Sequence, residues 1–210
     1  AEKVNLKNEV RKQFDSDITE EAIAMIEAND ALRTSKSTVL FKNSWHKGVI
    51  GIVAARCVEK FYRPTVILTE SNNKVTGSAR SVNGFDLYHA ILECSDLLEK
   101  FGGHKYAAGL TLDISNLELF QRRFEEVVSS TITEDMLTPV LEMDMPLHFD
   151  LITTKFLTIL KQMAPFGPEN QRPLFEASGV YVFNSLSSFK DRHVRFLAGQ
   201  QNNENVFQAV

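Results

Sequence analysis

Two short stretches of this chain place a cation beside small residues and bare backbone, a combination suited to capturing phosphate. In Gly77-Ser78-Ala79-Arg80-Ser81, strand alternation puts Ser78 and Arg80 on one face and Ala79 on the other. A hydroxyl beside a guanidinium can clamp a terminal phosphate, because arginine donates two parallel hydrogen bonds. The same pattern fits an exposed strand arginine paired with Asp86 or Glu70. In Gly102-Gly103-His104-Lys105-Tyr106-Ala107-Ala108-Gly109, the glycines let main-chain N–H groups approach a ligand closely. His104 and Lys105 add charge or a hydrogen bond. That run equally fits a tight turn between a helix and a strand.

A third stretch, Trp45-His46-Lys47-Gly48-Val49-Ile50-Gly51-Ile52-Val53-Ala54-Ala55-Arg56, sets His46 and Lys47 at a helix start. Free N–H groups and a partial positive charge favour anions there. Trp45 reads as a core or interface aromatic, Gly48 and Gly51 as permitting close helix–sheet packing, and Arg56 as a surface ion-pair partner. Near the C-terminus, Lys190, Arg192, His193 and Arg195 form a basic cluster, with His193 and Arg195 sharing one strand face. Tyr181, Phe183, Phe189 and Phe196 lie close by in sequence, as barrel core or as stacking platforms for bases. The histidines, His46, His89, His104, His148 and His193, are far apart, and no Asp-His-His triplet occurs. Asp15 and Asp17 read as a solvated or capping pair. No metal site is expected among these residues.

The elements that must position these residues follow from patterning. At 210 residues and 43% hydrophobic, the chain can bury a substantial core. A net charge of −4 excludes indiscriminate polyanion binding but allows a local basic groove. No apolar run reaches the ~18 residues that a membrane span needs. Cys57 and Cys94, each among apolar residues, read as buried free thiols and fit a reducing cytoplasm. Residues 3–30 carry an apolar stripe at Val10, Phe14, Ile18, Ile23 and Ile26, predicting one long helix interrupted near Asp15-Ser16-Asp17. Strands are expected at 39–41, 64–68, 75–80 and 107–113, and helices at 47–61, 86–100 and 115–130, with the glycine–histidine run as a turn. This alternation implies an α/β sandwich around a mixed sheet. A composition change near 131–139 marks a boundary. Beyond it, 140–145 reads as a strand, 150–163 as a helix, and 174–183, 189–197 and 204–210 as successive antiparallel strands. The chain opens Ala-Glu-Lys and ends within a strand pattern, so a piece of a longer protein is expected.

Together the runs WHKGVIGIVAAR, GSARS with NGFDLYHA, and CSDLLEKFGGHKYAAGLTL resemble the DHH-associated domain of RecJ-like single-strand-specific 5′→3′ DNA exonucleases. The resemblance is dense over 37–130 and continues weakly through Ala164-Pro165-Phe166-Gly167-Pro168-Glu169-Asn170. It implies a connector helix over 1–34, a DHH-associated substrate-binding domain over 35–135, and a partial, mainly β oligonucleotide-binding (OB) domain over 136–210. Such a barrel needs five strands, and about three are counted here. The resemblance further implies that Ser78, Arg80, Gly102, Gly103 and His104 receive substrate phosphates, with His104 as hydrogen-bond donor or general acid. His46, Lys47, Lys105, Lys190, Arg192, His193 and Arg195 are the further candidate contacts to single-stranded DNA. The family often has glycine where Ala79 stands, a small-for-small change. By the same resemblance, Mg²⁺ or Mn²⁺ and its ligands would belong to a catalytic domain upstream in the same chain, so these 210 residues alone are expected to be inactive. A small phosphodiesterase of the same superfamily, acting on cyclic dinucleotides or nano-RNA, and a tRNA-synthetase-associated RNA-binding module are the alternatives. Such relatives tend to carry an extra glycine before the histidine and to lack the WHKGVIGIVAAR run.

Overall fold

The computed structural model describes residues 2–167, 169–183, 186–189 and 193–210. The chain divides into two compact units, Ala1–Pro139 and Val140–Val210.

The first unit is built on a five-stranded mixed sheet. Its strands are β1 (Thr38–Phe41), β2 (Thr65–Ser71), β3 (Lys74–Arg80), β4 (Leu98–His104) and β5 (Ala107–Leu112). The spatial order is β1-β2-β3-β5-β4, with β1 parallel to β2 and every other pair antiparallel. Asn72 and Asn73, at φ 55° and 57°, close the β2–β3 hairpin, the left-handed pair that a two-residue turn favours. Helices α1 (Glu2–Glu27), α2 (Asp30–Thr34) and α3 (Ile50–Phe61) precede α4 (Leu87–Leu92) and α5 (Leu117–Thr131). Alternation along the central strands feeds two cores. Val39, Val66, Leu68 and Ala79 join Phe120, Phe124 and Val128 of α5, while Leu40 and Ile67 join Val53 and Cys57 of α3 and Ile18, Ala22 and Ile26 of α1. The result is the α/β sandwich that the alternation predicts.

α1 runs unbroken through Asp15-Ser16-Asp17, and Asp15 is not the solvated residue expected. It is buried, and Arg56 of α3 donates to its carboxylate at 2.6 Å, so a charge pair replaces the lost water. Arg56 is the ion-pair partner that its helical position suggested. Val10 and Phe14 of the expected stripe are exposed, because the face that packs on α3 is Asp15, Ile18, Thr19, Ala22 and Ile26. Trp45 is a core aromatic whose Nε1–H donates to Glu21 of α1 at 2.7 Å. Cys57 and Cys94 are buried and unpaired, and burial pushes each thiol up to about 11.

The Glu21 carboxyl is held below the usual glutamate value by hydrogen bonds from Lys42 and Trp45. A lowered folded-state pKa contributes stability above the unfolded value of 4.5, and that contribution is lost as pH falls through the folded value. Trp45 is the only tryptophan and reports this contact directly. Acidification below 4.5 is expected to shift its emission to the red, and a Glu21→Gln chain is expected to lack that step. A titration identical in both chains overturns the assignment.

The largest departure from patterning lies at 86–104. The expected helix 86–100 stops at Leu92, a 3₁₀ turn follows at Ser95–Leu97, and β4 begins at Leu98. Leu87, Ala90, Ile91, Cys94 and Leu97 keep a helical spacing, but pairing with β5 from Leu98 to His104 overrides it. The glycine–histidine run is therefore not a helix–strand turn. It is the end of an edge strand, and Lys105-Tyr106 forms the turn. α3 likewise starts at Ile50, later than the 47 expected, leaving His46 and Lys47 in the turn ahead of it.

The second unit holds β6 (Met145–Pro146), α6 (Thr154–Gln162), β7 (Phe175–Glu176), β8 (Val180–Val182), β9 (Ser187–Phe189), β10 (His193–Gln200) and β11 (Val206–Ala209). β10 pairs antiparallel with β11, β8 and β9, whereas β6 and β7 form a short parallel pair. The strand expected at 140–145 is confined to β6. Buried Gln200 stitches the unit, accepting from the Phe149 N–H at 2.7 Å and donating to the Ser178 carbonyl at 2.8 Å.

Candidate phosphate-binding site

Register across β3, β5 and β4 decides which residues share a surface. Arg80, Ala107 and His104 form one cross-strand row, Ser78, Gly109 and Gly102 the next, and Thr76, Thr111 and Lys100 a third. All nine lie on the face opposite Ala79 and Ala108, which point into the core. α3 covers that face over β2 and β3 and leaves β5 and β4 bare. The floor is glycine and alanine, with Gly102 and Gly109 exposed.

On this face Arg80 donates from Nη1 to Ser78 Oγ at 3.1 Å and to its neighbour's carbonyl, Ala79 O, at 2.8 Å. Among the described residues no carboxylate pairs with Arg80. Asp86 caps α4 instead, accepting from the His89 N–H at 3.0 Å. The guanidinium is thus held in place by neutral partners with donors to spare. Gly51 of α3 creates the room. A Cβ at Gly51 would stand 2.9 Å from Ser78 Oγ and 3.0 Å from Arg80 Nη2.

His104 sits two strand spacings from Arg80, about 10 Å, with only Ala107 between them. Its Nδ1 accepts the Tyr106 N–H at 3.3 Å, which places the proton of the neutral ring on Nε2 as a donor. Gly102 and Gly103 divide the labour. Nothing lies within 4 Å of a Cβ built on Gly102, so it is open floor. Gly103 points the other way, with φ +152° and no space for a side chain. Chemically the face offers a planar cation, a hydroxyl and an imidazole N–H around a surface flat enough for a phosphodiester.

The other candidates are placed as follows. Lys47 lines a groove on the same face with Thr76, Lys100 and Thr111. The His46 ring stacks on Phe14 at 5.3 Å, and its Nδ1 accepts the Gly48 N–H, so it faces α1. Lys105 lies 5.6 Å over the Tyr106 ring in the exposed turn. In the second unit, His193 and Arg195 pair with Phe189 and Ser187 of β9, and both are exposed. Tyr181 and Phe183, at 44% and 52% exposure, form a ring pair 4.7 Å apart. Lys190 and Arg192 lie outside the described residues. Lys100 and Thr111 were not legible as site residues. β4 is bulged between Leu98 and Lys100, which turns Lys100 onto the open face against the simple alternation from Leu98.

Residues 34–130 match the DHHA1 domain family and residues 143–210 match the RecJ OB domain family. The chain belongs to the RecJ family. It is 37% identical over 175 residues to the single-stranded-DNA-specific exonuclease RecJ of Bacillus subtilis, covering 82% of this chain and 22% of that protein. The Escherichia coli RecJ is 31% identical over 207 residues, covering 94% and 35% respectively. Thus the chain spans between a fifth and about a third of these relatives' length. The fold is that of Thermus thermophilus RecJ solved with Mn²⁺, at a TM-score of 0.76 and 24% identity, over 92% of this chain and 28% of that one. Among the described residues no helix is long and apolar enough to cross a membrane. No group of three or more His, Cys, Asp or Glu side chains there could hold a metal ion.

Proposed function

We propose that this chain is the nucleic-acid-binding part of a RecJ-like 5′→3′ exonuclease acting on single-stranded DNA, and that its open sheet face receives the strand's phosphates. The observation that carries this reading is the Ser78–Arg80 pair, free of carboxylates, on one bare face with His104. In this role Arg80 and Ser78 grip the 5′-terminal phosphate. His104 donates a hydrogen bond from its Nε2–H to a phosphate oxygen. Mg²⁺ or Mn²⁺ and the attacking water belong to a catalytic domain of the same parent protein, and this chain alone does not hydrolyse DNA. The DNA-facing role extends to Tyr181, Phe183, His193 and Arg195, since exposed rings beside cations are how OB folds hold single strands. A reducing, cytoplasmic location accompanies the free thiols.

The test is fluorescence anisotropy with a short single-stranded oligonucleotide at low salt. The 5′-phosphorylated strand is expected to bind more tightly than its 5′-hydroxyl twin, with an affinity that falls steeply as salt rises. Equal affinity for the two strands overturns the assignment of the terminal phosphate to Ser78 and Arg80.

A further inference from the structure

The run Asn83-Gly84-Phe85-Asp86-Leu87-Tyr88-His89-Ala90 belongs to the family signature, yet phosphate capture by Arg80 and Ser78 gives it no part. Its backbone reaches the turn that follows His104, and both carbonyls of that turn are taken from segment 81–87. The Ser81 N–H donates to Tyr106 O at 3.1 Å, one rung beyond the Arg80–Ala107 pair, and the Leu87 N–H donates to Lys105 O at 3.1 Å. Lys105 O and the Tyr106 N–H are opposite edges of one planar trans peptide. The Leu87 bond therefore fixes both edges. With its oxygen held at α4, the plane aims its N–H the other way, at His104 Nδ1, 3.3 Å distant. Were the plane turned over, its carbonyl would face Nδ1 and draw the ring proton there. Nε2 would then be a bare acceptor, which repels a phosphate oxygen. Two side chains keep Leu87 in place. Asp86 caps α4 by accepting the His89 N–H at 3.0 Å, and Ser81 Oγ closes the loop by donating to Phe85 O at 3.1 Å. Val82, Phe85 and Leu87 are buried, and Gly84, at φ 84°, turns the loop back between them.

We propose that segment 81–87 is a brace for His104, with Asp86 and Ser81 as positioning residues. Through the Leu87 N–H it sets the Lys105–Tyr106 peptide plane, and that plane keeps the imidazole proton on Nε2. This rests on the reading of His104 as a hydrogen-bond donor to phosphate. The brace starts at the residue after Arg80 and ends on the turn after His104, so it ties the guanidinium at one end of the row to the imidazole at the other. A phosphate then meets a donor already in place, with no change of tautomer on binding.

The test reads the proton directly. Native, Asp86→Ala, Asp86→Asn and Ser81→Ala chains are labelled with ¹⁵N-histidine, and the ring nitrogens are followed by NMR in mildly alkaline buffer, where imidazole is neutral. A His104→Gln chain identifies the signals. Asparagine caps a helix as aspartate does, so the two neutral Asp86 variants differ in the cap and not in charge. The native and Asp86→Asn chains are expected to hold His104 as the Nε2–H tautomer. Asp86→Ala and Ser81→Ala are expected to move a sizeable share to Nδ1–H and to weaken binding of a 5′-phosphorylated oligothymidine about threefold to tenfold by anisotropy. If the loop is merely structural, both variants lower Tm and leave the His104 signals native, and that result overturns the brace. A native His104 that does not carry its proton on Nε2 overturns it as well. Ser81→Ala, the milder change, decides alone if Asp86→Ala does not fold. A tautomer that follows the brace while His104→Gln binds the strand as tightly as the native chain upholds the brace and overturns instead the reading of His104 as a phosphate contact.

Discussion

A Gly103→Ala chain is expected to unfold about 3 kcal/mol more easily than the native one, lowering Tm by on the order of 10 °C. Gly103 holds φ +152°, where a side chain is strained. Its new Cβ would stand 2.3 Å from the Ala107 carbonyl oxygen and 2.5 Å from Ala108 Cα. Both atoms belong to β5, which is locked between β3 and β4 and cannot retreat. The adjacent glycine supplies the contrast. Gly102→Ala meets open space, so its stability is expected to stay within about 0.5 kcal/mol of native. Yet its methyl group would rise from the floor between Arg80 and Lys100, and affinity for single-stranded DNA is expected to fall. Thermal unfolding followed by circular dichroism checks the first difference, and anisotropy the second. Equal Tm values for the two variants contradict the placement of Gly103 against β5.

Arg80→Ala is expected to weaken binding of a 5′-phosphorylated strand about 10- to 100-fold, the range for a charge-assisted hydrogen-bonded contact of roughly 1.5–3 kcal/mol. Unfolding should be little affected, because Arg80 is only half-buried and makes no ion pair among the described residues. The 5′-hydroxyl strand should lose far less, since the missing partner is the terminal phosphate. A companion substitution reaches the same site from α3. Gly51→Ala removes a helix glycine, worth up to about 1 kcal/mol in intrinsic helix preference. Its Cβ would press on Ser78 Oγ and Arg80 Nη2, the ends of flexible side chains that can shift. Stability is expected to hold or rise while affinity falls, so the two readouts separate. Native affinity in Gly51→Ala would show that the Ser78–Arg80 geometry does not govern binding.

Local patterning was enough for much of this. The alternation of Ser78, Ala79 and Arg80 names a strand face because side chains in a strand point alternately up and down. Phe120, Phe124 and Val128, spaced by four, name the buried face of α5. The three motif runs carried the family. Patterning failed where tertiary pairing outweighed a local period. The spacing of Leu87, Ala90, Ile91, Cys94 and Leu97 continues a helix on paper, but β5 offered the following residues a full ladder of hydrogen bonds. Asp15 looked solvated because its partner, Arg56, lies 41 residues away.

The sequence by itself determined the chemical vocabulary of this protein: a guanidinium, a hydroxyl, an imidazole and small residues, each on a short segment with its own period. Only the tertiary structure decided that they share one surface. That decision rests on strand register, on a single bulge that turns Lys100 outward, and on α3 ending its cover at β3. None of these is a property of neighbouring residues. Each depends on hydrogen bonds and packing between segments that meet only when the chain folds.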